Sequence, residues 1–371
     1  MWYRTGPLAM KVNCVSPSDL SVDELSAWNA ILRDVPAFRS PYLSPGWAKL
    51  VGRSRPDSTV VVFRKDDQPV GFLPVQRSTG HTALPLGGPI CDYQSLIARD
   101  DVQLDARLAL DELKVKRIDF TGLTDAHPCC APHIKTQDLG MVVDVSNGWD
   151  AYVENRRAAG SSVLKRVRKK YKKMKAECTN VEFSAFTHNK DDFKTLMDWK
   201  RDQWRRTGSI DIMSKPWINQ VISDSFDVSD NGFGGELFTL KADGQLVAAL
   251  YALKLDKILH AWFVGYSRDY ETYSPGLILF TETLKAMAES GYEQLDLGGG
   301  EYQFKQSLAT QTRMAGPGFI GSSNLATYSR SLQYEVRSIV ESLPLGCVRS
   351  WPAKAMRRMD IWRGMSESNS R

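Results

Sequence analysis

The spacing of apolar residues changes period several times along this chain, and each change marks an element. SVDELSAWNAILRDV, in a lead-in covering residues 1–35, keeps the helical period; Ser21 opens it and Glu24, three residues on, completes a capping box. The period then falls to two. TVVVFRKDDQPVGFLPVQR predicts a hairpin turning at Asp66-Asp67-Gln68-Pro69, and KRIDFTG and MVVDV add short strands before a break near Ser146-Asn147-Gly148. Beyond it, SSVLKRVRKKYKKMKAE is a helix with a narrow apolar stripe of Val163, Val167, Tyr171 and Met174. Two further helices follow, KDDFKTLMDWKRDQWRRTG, stopped by Gly208, and KPWINQVISDSF. Strands return in ELFTLKADGQLVAALYALK, a hairpin joined at Asp243-Gly244, which KILHAWFVGY extends. SPGLILFTETLKAMAESG is a helix with Ser274 at its cap, Pro275 at its first position and Gly291 past its end. Leu277, Phe280, Thr281, Leu284, Met287 and Ala288 keep its period. YEQLDLGGG then reads as a strand and EYQFKQSLA as a short helix.

Mainly antiparallel strands interleaved with helices make the fold class α+β. A chain of 371 residues exceeds what one core usually supports. The expected division is residues 1–146, residues 147–321 and a basic helical tail, 322–371. A content of 42% hydrophobic and 25% charged residues is that of an ordinary soluble protein. No apolar run nears the ~18 residues of a membrane span, and MWYRTGPLAMKVNC lacks a signal peptide's apolar core. The expected location is the cytoplasm, with peripheral contact at the inner membrane face as an alternative. Cys14, Cys91, Cys129, Cys130, Cys178 and Cys347 follow no secreted-scaffold rhythm and suit reduced thiols. Cys129 and Cys130, flanked by His127 and His133, are adjacent and point apart, so no metal is expected.

The formal net charge of +5 is modest, and no DNA partner is expected from it. Its distribution says more. Eight Lys or Arg residues lie between 165 and 175. Such density suits phosphate groups, nucleic acid or an anionic membrane face, and equally a solvated helix. In the tail, VRSWPAKAMRRMDIWRGM is basic and carries Trp and Met, as interfacial segments do; a packed terminal helix reads the same way.

DLGGGEYQFK, residues 296–305, raises the sharpest chemical question. Three glycines after a strand can expose N–H groups to phosphate, but neither G-x-x-x-x-G-K-[ST] nor G-x-G-x-x-G is met. The helix start at Ser274-Pro275-Gly276 is the better anion site. There the N–H groups of Gly276, Leu277 and Ile278 are expected to point outward unpaired, with the helix dipole behind them, as a pyrophosphate requires. A Pro-initiated core helix is the plainer alternative. His260 is the natural general base, because an unperturbed imidazole titrates near neutrality; a buried His in a strand before Trp262 is also often a core residue. Asp296 and Glu301 compete for that role, provided burial raises their pKa.

Six stretches taken in order carry a resemblance to a known family. SPYLSPGWAKLV, VGFLPVQR and CDYQSLI in the first half, and WKRDQWRRTG, LHAWFVGYSRDYETYSPGLIL and DLGGGEYQFK in the second, resemble the CelD-type proteins associated with cellulose and exopolysaccharide synthesis. These are GNAT-like N-acyltransferases akin to the FemAB aminoacyl transferases. The resemblance spans roughly residues 40–315 and implies two tandem GNAT-like lobes with a helical C-terminal extension, the second lobe carrying acyl-CoA, typically acetyl-CoA. It implies that Ser274, Gly276, Leu277 and Ile278 hold the pyrophosphate. Asp296, Gly299, Gly300, Glu301 and Lys305 match the family's acidic, glycine-rich segment, which usually ends in Tyr-Lys. Here Phe304 stands in place of that Tyr, leaving Tyr302 as the nearby proton donor. With His260, Asp296, Glu301 and Lys305, Tyr302 completes the expected catalytic set. Lys200 and Gln203, one turn apart, match a family pattern and can hold acceptor oxygens, or form a solvated helix face. Asp92, Tyr93 and Gln94 are expected to wall the cleft from the first lobe, or to form a turn after Pro89; Trp262 and Tyr273 complete the substrate-binding set.

The implied activity is acyl-CoA-dependent N-acyl transfer to an amino sugar or polysaccharide precursor. Two alternatives stay open. One is an aminoacyl-tRNA-dependent transferase, its basic helix contacting phosphates; the other is a silent scaffold of a polysaccharide machine, bound to an anionic membrane through residues 165–175 and the tail.

Overall fold

The computed structural model describes residues 10–78, 81–230, 232–300, 302–322, 325–343 and 351–367. The first half contains β1 (Lys11–Val15), α1 (Val22–Asp34), α2 (Pro45–Ser54), β2 (Ser58–Lys65), β3 (Gln68–Ser78), β4 (Thr82–Pro85), α3 (Leu108–Leu113), β5 (Arg117–Thr124) and β6 (Asp138–Asp144). Next come α4 (Trp149–Ala158), α5 (Val163–Glu177), β7 (Val181–Thr187), α6 (Lys190–Thr207), α7 (Pro216–Asp227), β8 (Phe233–Ala242), β9 (Gln245–Leu255) and β10 (Ile258–Tyr266). The chain continues through α8 (Pro275–Glu289), β11 (Gln294–Asp296), α9 (Gln303–Leu308), β12 (Gln311–Gly321), α10 (Leu325–Ser342) and α11 (Trp351–Met365). Among the described residues no helix is long and apolar enough to cross a membrane.

Several boundaries follow the expected local chemistry. Ser21 accepts from the Glu24 N–H while the Glu24 carboxylate accepts from the Ser21 N–H, the reciprocal cap expected for α1. Asp66 and Asp67 both take positive φ between β2 and β3, as do Asp243 and Gly244 between β8 and β9, which suits the twist of a two-residue hairpin. Gly208, at φ +65°, ends α6.

The chain forms two compact units. The first comprises residues 1–138, 215–221 and 314–371, the second 139–214 and 222–313. The tail beyond residue 322, expected as a separate extension, belongs to the first unit. Apart from the two-residue strands Ile97–Ala98 and Ser229–Asp230, one order of elements occurs twice along the chain: β1-α1-α2-β2-β3-β4-α3-β5 and then β7-α6-α7-β8-β9-β10-α8-β11. Sheet order repeats as well, β1-β2-β3-β4-β5 and β7-β8-β9-β10-β11. Each sheet gains a further antiparallel strand: β12 beside β5, and β6 beside β11. In each unit the fourth and fifth strands pair in parallel, β4 with β5 and β10 with β11. The fold is thus α+β with tandem GNAT-like topology and C-terminal helices.

The core of the second unit is formed by Val163, Val167 and Met174 of α5, Ile278, Leu279, Leu284 and Met287 of α8, and the facing strand residues Leu250, Leu259 and Leu295. All eight basic residues of α5 are exposed on its opposite side, so its apolar stripe is a packing stripe.

In the first unit, the parallel pair is short. Thr82 pairs with Arg117 and Ala83 with Ile118, after which β4 and β5 part. The chain itself fills the opening. Gln94 exchanges backbone bonds with β5 and its side-chain oxygen accepts from the N–H groups of Thr121 (3.1 Å) and Gly122 (2.7 Å). On the other side stands α11. Its Gly364 carbonyl accepts from Arg55 and Gln76, each at 3.0 Å, and its Met365 carbonyl from the Trp217 indole at 3.1 Å. A cavity of about 20 Å³ between them is lined by Leu84, Asp119, Thr121, Asp360 and Gly364 among others.

Candidate active site

The second unit contains the same fork, and here it is open. β10 pairs with β9 along its length but with β11 at only three positions, Ile258 with Gln294, Leu259 with Leu295 and His260 with Asp296. Past Asp296 the chain follows β6 instead: the Leu297 N–H donates to the Met141 carbonyl at 2.8 Å, and the Met141 N–H to the Gly298 carbonyl at 3.2 Å. β10 meanwhile runs on to Tyr266. Among the described strands none pairs with that edge of β10 after His260, which leaves the edge without a strand neighbour.

A bulge re-aims β10 at the gap. Ala252 pairs with Ala261 and Tyr251 with Phe263, which leaves Trp262 as an extra residue in the strand. The Trp262 ring lies 4.9 Å from that of Phe263 and 6.1 Å from that of Tyr251. Leu259, Ala261, Val264, Leu295 and Leu297 pack on the α5–α8 side. By strand alternation His260 and Asp296 face the other way, toward the side that α6 covers. Gly265 faces that side too: a Cβ there would come within 2.9 Å of Leu196 and 3.2 Å of Trp199.

At the apex of the fork is a buried charge hub. His260 Nδ1 lies 3.6 Å from Asp296 Oδ1, and Arg313 Nε lies 3.6 Å from Asp296 Oδ2. The Gly298 N–H donates to Asp296 Oδ1 at 2.8 Å. Both distances to Asp296 are longer than a hydrogen bond, in a site where His260 is fully buried. On α6, the Lys200 ammonium donates to the Gln203 side-chain oxygen at 2.8 Å and lies 5.9 Å from the Trp204 ring centre. Burial pushes its pKa down to about 8.

The glycine segment is a backbone device. Gly298 and Gly300 take φ of +70° and +102°, which other residues rarely adopt, while a Cβ on Gly299 would meet nothing within 4 Å. Lys305 donates to the Gly299 carbonyl at 2.7 Å and lies 5.4 Å from the Tyr302 ring centre. Tyr302, exposed, precedes α9 as its cap. α9 begins at Gln303, and the Glu301–Lys305 spacing cannot be placed, because Glu301 lies outside the described residues. Phe304, where the family usually has Tyr, packs 5.7 Å from Phe280, so a core contact occupies that position.

The expected anion site needs correction. The N–H groups of Leu277 and Ile278 both donate to the Ser274 carbonyl, at 3.0 and 3.3 Å, and the Ile278 side chain is fully buried. The Ile278 bond is the first of the helix, and a tightened first turn captures the Leu277 N–H as well. Ser274, with φ +56° and ψ +56°, makes no side-chain cap. Gly276 remains as the approachable position: a Cβ there would meet only Tyr266, at 3.7 Å. α5 borders this start. Lys170 donates to the Thr272 carbonyl, Lys173 lies 5.7 Å from the Tyr273 ring centre, and the Tyr273 hydroxyl donates to Glu177 at 2.6 Å. Tyr273 therefore turns to α5.

Asp92, Tyr93 and Gln94 belong to the first unit, where Gln94 is a buried strut for β5 and Tyr93 is buried. Asp92 is held close by backbone: Gly122 packs against its carbonyl so tightly that a Cβ would come to 2.0 Å. In the His127–His133 stretch, His127 Nδ1 lies 3.0 Å from Cys129 Sγ, and no group of three or more metal-ligating side chains occurs among the described residues. Two features had no signal in the sequence: the bulge at Trp262, and Arg313, which no motif marks.

Comparison with known proteins places this geometry. Residues 161–306 match the family described as the acetyltransferase (GNAT) domain. No match to a curated protein sequence was found. Among solved structures, the chain is similar to a tandem GNAT protein from the clavulanic acid biosynthesis pathway, with 13% identity and a TM-score of 0.52 over 85% of this chain and 100% of that one. It is also similar to the C-terminal domain (DUF2156) of a protein named as a lysylphosphatidylglycerol synthetase from Agrobacterium fabrum, with 13% identity, a TM-score of 0.51, and coverage of 84% and 95%. A third is FemX, with 11% identity, a TM-score of 0.51, and coverage of 75% and 90%. At such identities the likeness is one of fold. The match to the acetyltransferase (GNAT) domain thus lies in residues 161–306, within a chain that shares its fold with a tandem GNAT protein.

Proposed function

We propose that the second unit transfers an acyl group from acyl-CoA, acetyl-CoA in the simplest case, to the amino group of an amino sugar or polysaccharide precursor. The observation that carries this reading is the open fork after His260 and Asp296. An extended donor arm with amide groups can bond to the free edge of β10 much as a strand would. Its pyrophosphate would then lie at the start of α8, held by the Gly276 N–H and by the neighbouring lysines of α5.

The acceptor enters from the α6 side, where Lys200 and Gln203 hold its oxygens and Trp262 offers a ring face. Its amine attacks the thioester carbon, the C–N bond forms, and the carbonyl electrons move to oxygen before the C–S bond breaks. His260, oriented by Asp296, takes the proton that the amine loses, and Tyr302 returns one to the departing thiolate. Lys305 fixes the Gly299 carbonyl and so the floor of the gap. Most of the rate comes from alignment and from backbone dipoles facing the oxyanion.

A second reading keeps the fold and changes the donor to an aminoacyl-tRNA. The exposed cations of α5 favour it, since they lie beside the proposed donor phosphates and would contact a nucleic acid backbone. Calorimetric titration with CoA, acetyl-CoA and longer acyl-CoAs, alongside tRNA, separates the two. Acetyl-CoA is expected to bind, and Gly276→Asp to abolish that binding with the fold intact, because its Cβ has room. Equal binding by the variant would place the pyrophosphate elsewhere; binding of tRNA alone would move the reading to the second donor.

A further inference from the structure

The two C-terminal helices bury ion pairs against the first unit and expose a series of large apolar groups. Arg330 of α10 is 1% exposed and bonds Asp360 of α11 at 2.7 Å, while Arg363 of α11 bonds Asp119 at 2.8 Å. Outside, Leu325, Tyr328, Leu332, Val336, Ile339 and Leu343 are all exposed, Leu325 at 82% and Ile339 at 61%. Their spacing of three or four residues puts them on one face along the length of α10. A run of exposed large apolar residues at helical spacing marks an interaction surface, because a solvated helix gains nothing by keeping it.

The adjoining helix says what covers this face. Trp351, Met359 and Trp362 of α11 are exposed, Trp351 at 63% and Trp362 at 56%. Lys354, Arg357 and Arg358 are exposed with them, whereas Asp360, the one acidic residue of α11, is buried against Arg330. Every charge that α11 turns outward is therefore positive, and it alternates with tryptophan. Aliphatic stripe, tryptophan and cation are the three groups that a membrane interface accommodates together: acyl-chain boundary, headgroup level and phosphate. A folded protein partner would need an acidic rim to meet those cations; a bilayer containing anionic lipid supplies one everywhere.

We propose that the outer face of α10 and α11 is a docking surface for an anionic lipid bilayer, on which the two helices lie without crossing it. The inward Arg–Asp bonds hold the helices to the first unit, so the apolar stripe stays presented when no membrane is near. The surface is independent of the acyl-transfer reading.

The test uses the full chain, sedimented with vesicles of phosphatidylglycerol and phosphatidylcholine or of phosphatidylcholine alone, with tryptophan emission recorded. The parent is expected to bind the anionic vesicles with a blue-shifted emission and to release in high salt. Leu332→Glu with Ile339→Glu should lose binding at least ~10-fold with an unchanged Tm, since both side chains are exposed. Lys354→Gln, Arg357→Gln and Arg358→Gln together should weaken it roughly 100-fold. A parent that stays in solution with both vesicle types, or that binds both equally, overturns the proposal. So does a dimer seen by light scattering that Leu332→Glu with Ile339→Glu dissociates, for then a second copy covers the stripe.

Discussion

Lys200 is a residue whose burial costs the fold something. Burial pushes its amine down to about 8 from the ordinary 10.5, and its hydrogen-bond partner, Gln203, carries no charge. Between those two values the unfolded chain binds more protons than the folded one, so stability rises with pH across that window and this group adds no slope below about 8. Lys200→Met is expected to raise Tm at pH 7, with the gain fading as pH climbs toward 10.5. If Lys200 holds acceptor oxygens, the same variant raises the acceptor KM about tenfold or more. A raised Tm with an unchanged KM would remove it from the acceptor site. His260 is tested the other way: His260→Gln should lower kcat/KM at least about 100-fold with Tm close to the parent's. Activity near the parent's would make the imidazole a core residue. Both residues could be picked from the sequence by type, one for its pKa and one for its spacing to Gln203. Their surroundings could not. The contact of His260 with Asp296 depends on strands joined through α8, and Arg313 reaches the carboxylate from a strand with no marking motif.

Elements were legible where local chemistry decides them. The Ser21–Glu24 box, the Asp243-Gly244 turn and the Gly208 stop each involve residues within one turn of the backbone and form as expected, while the first hairpin turns at Asp66-Asp67 alone, with Gln68 and Pro69 already in β3. Legibility fails where neighbours decide. YEQLDLGGG suggests a full strand, yet β11 is only Gln294–Asp296, because the chain leaves β10 for β6 at that point. Ser274 has the composition of a cap, but its left-handed backbone turns the hydroxyl away from the helix N–H groups. Lys305 makes the same point. As a surface helical pair it would contribute only ~0.2–0.5 kcal/mol and no activity. Its bond to the Gly299 carbonyl instead ties α9 to the glycine segment. Lys305→Ala is therefore expected to lower kcat/KM about tenfold with little change in Tm, since misplacing a backbone carbonyl in the gap costs alignment. Full activity with the true acceptor would return the residue to the surface.

At the scale of the whole chain, the repeat of eight elements was legible only through family resemblance, because the two halves share topology and not a sequence period. Its most informative position is the third step of each parallel strand. Asp296 holds it in the second unit, at the apex of the open fork; Asp119 holds it in the first, one residue past the Ala83–Ile118 pair. Around Asp119 the fork is closed by cations of the chain itself. Arg117 bonds it at 2.6 Å, Arg363 at 2.8 Å, and Arg330 lies 3.7 Å away while bonding Asp360 at 2.7 Å. α3, the counterpart of α8, has only six residues and gives a pyrophosphate no comparable helix start. The chain should therefore load one acyl-CoA, and calorimetry should give a stoichiometry near one that Gly276→Asp reduces to zero; a second, unaffected site would show that the first unit also takes a donor. Arg330→Met tests the closure itself. It leaves Asp119 and Asp360 buried with one cation fewer, and breaking a buried ionic network in this way costs roughly 3–5 kcal/mol. The expected result is a large drop in denaturation midpoint, partly recovered when Asp360→Asn is added, because the amide no longer needs the missing charge. Loss of less than ~1 kcal/mol would mean that α11 is held by its Gly364 and Met365 carbonyls alone and that the charges around Asp119 are incidental to the closure.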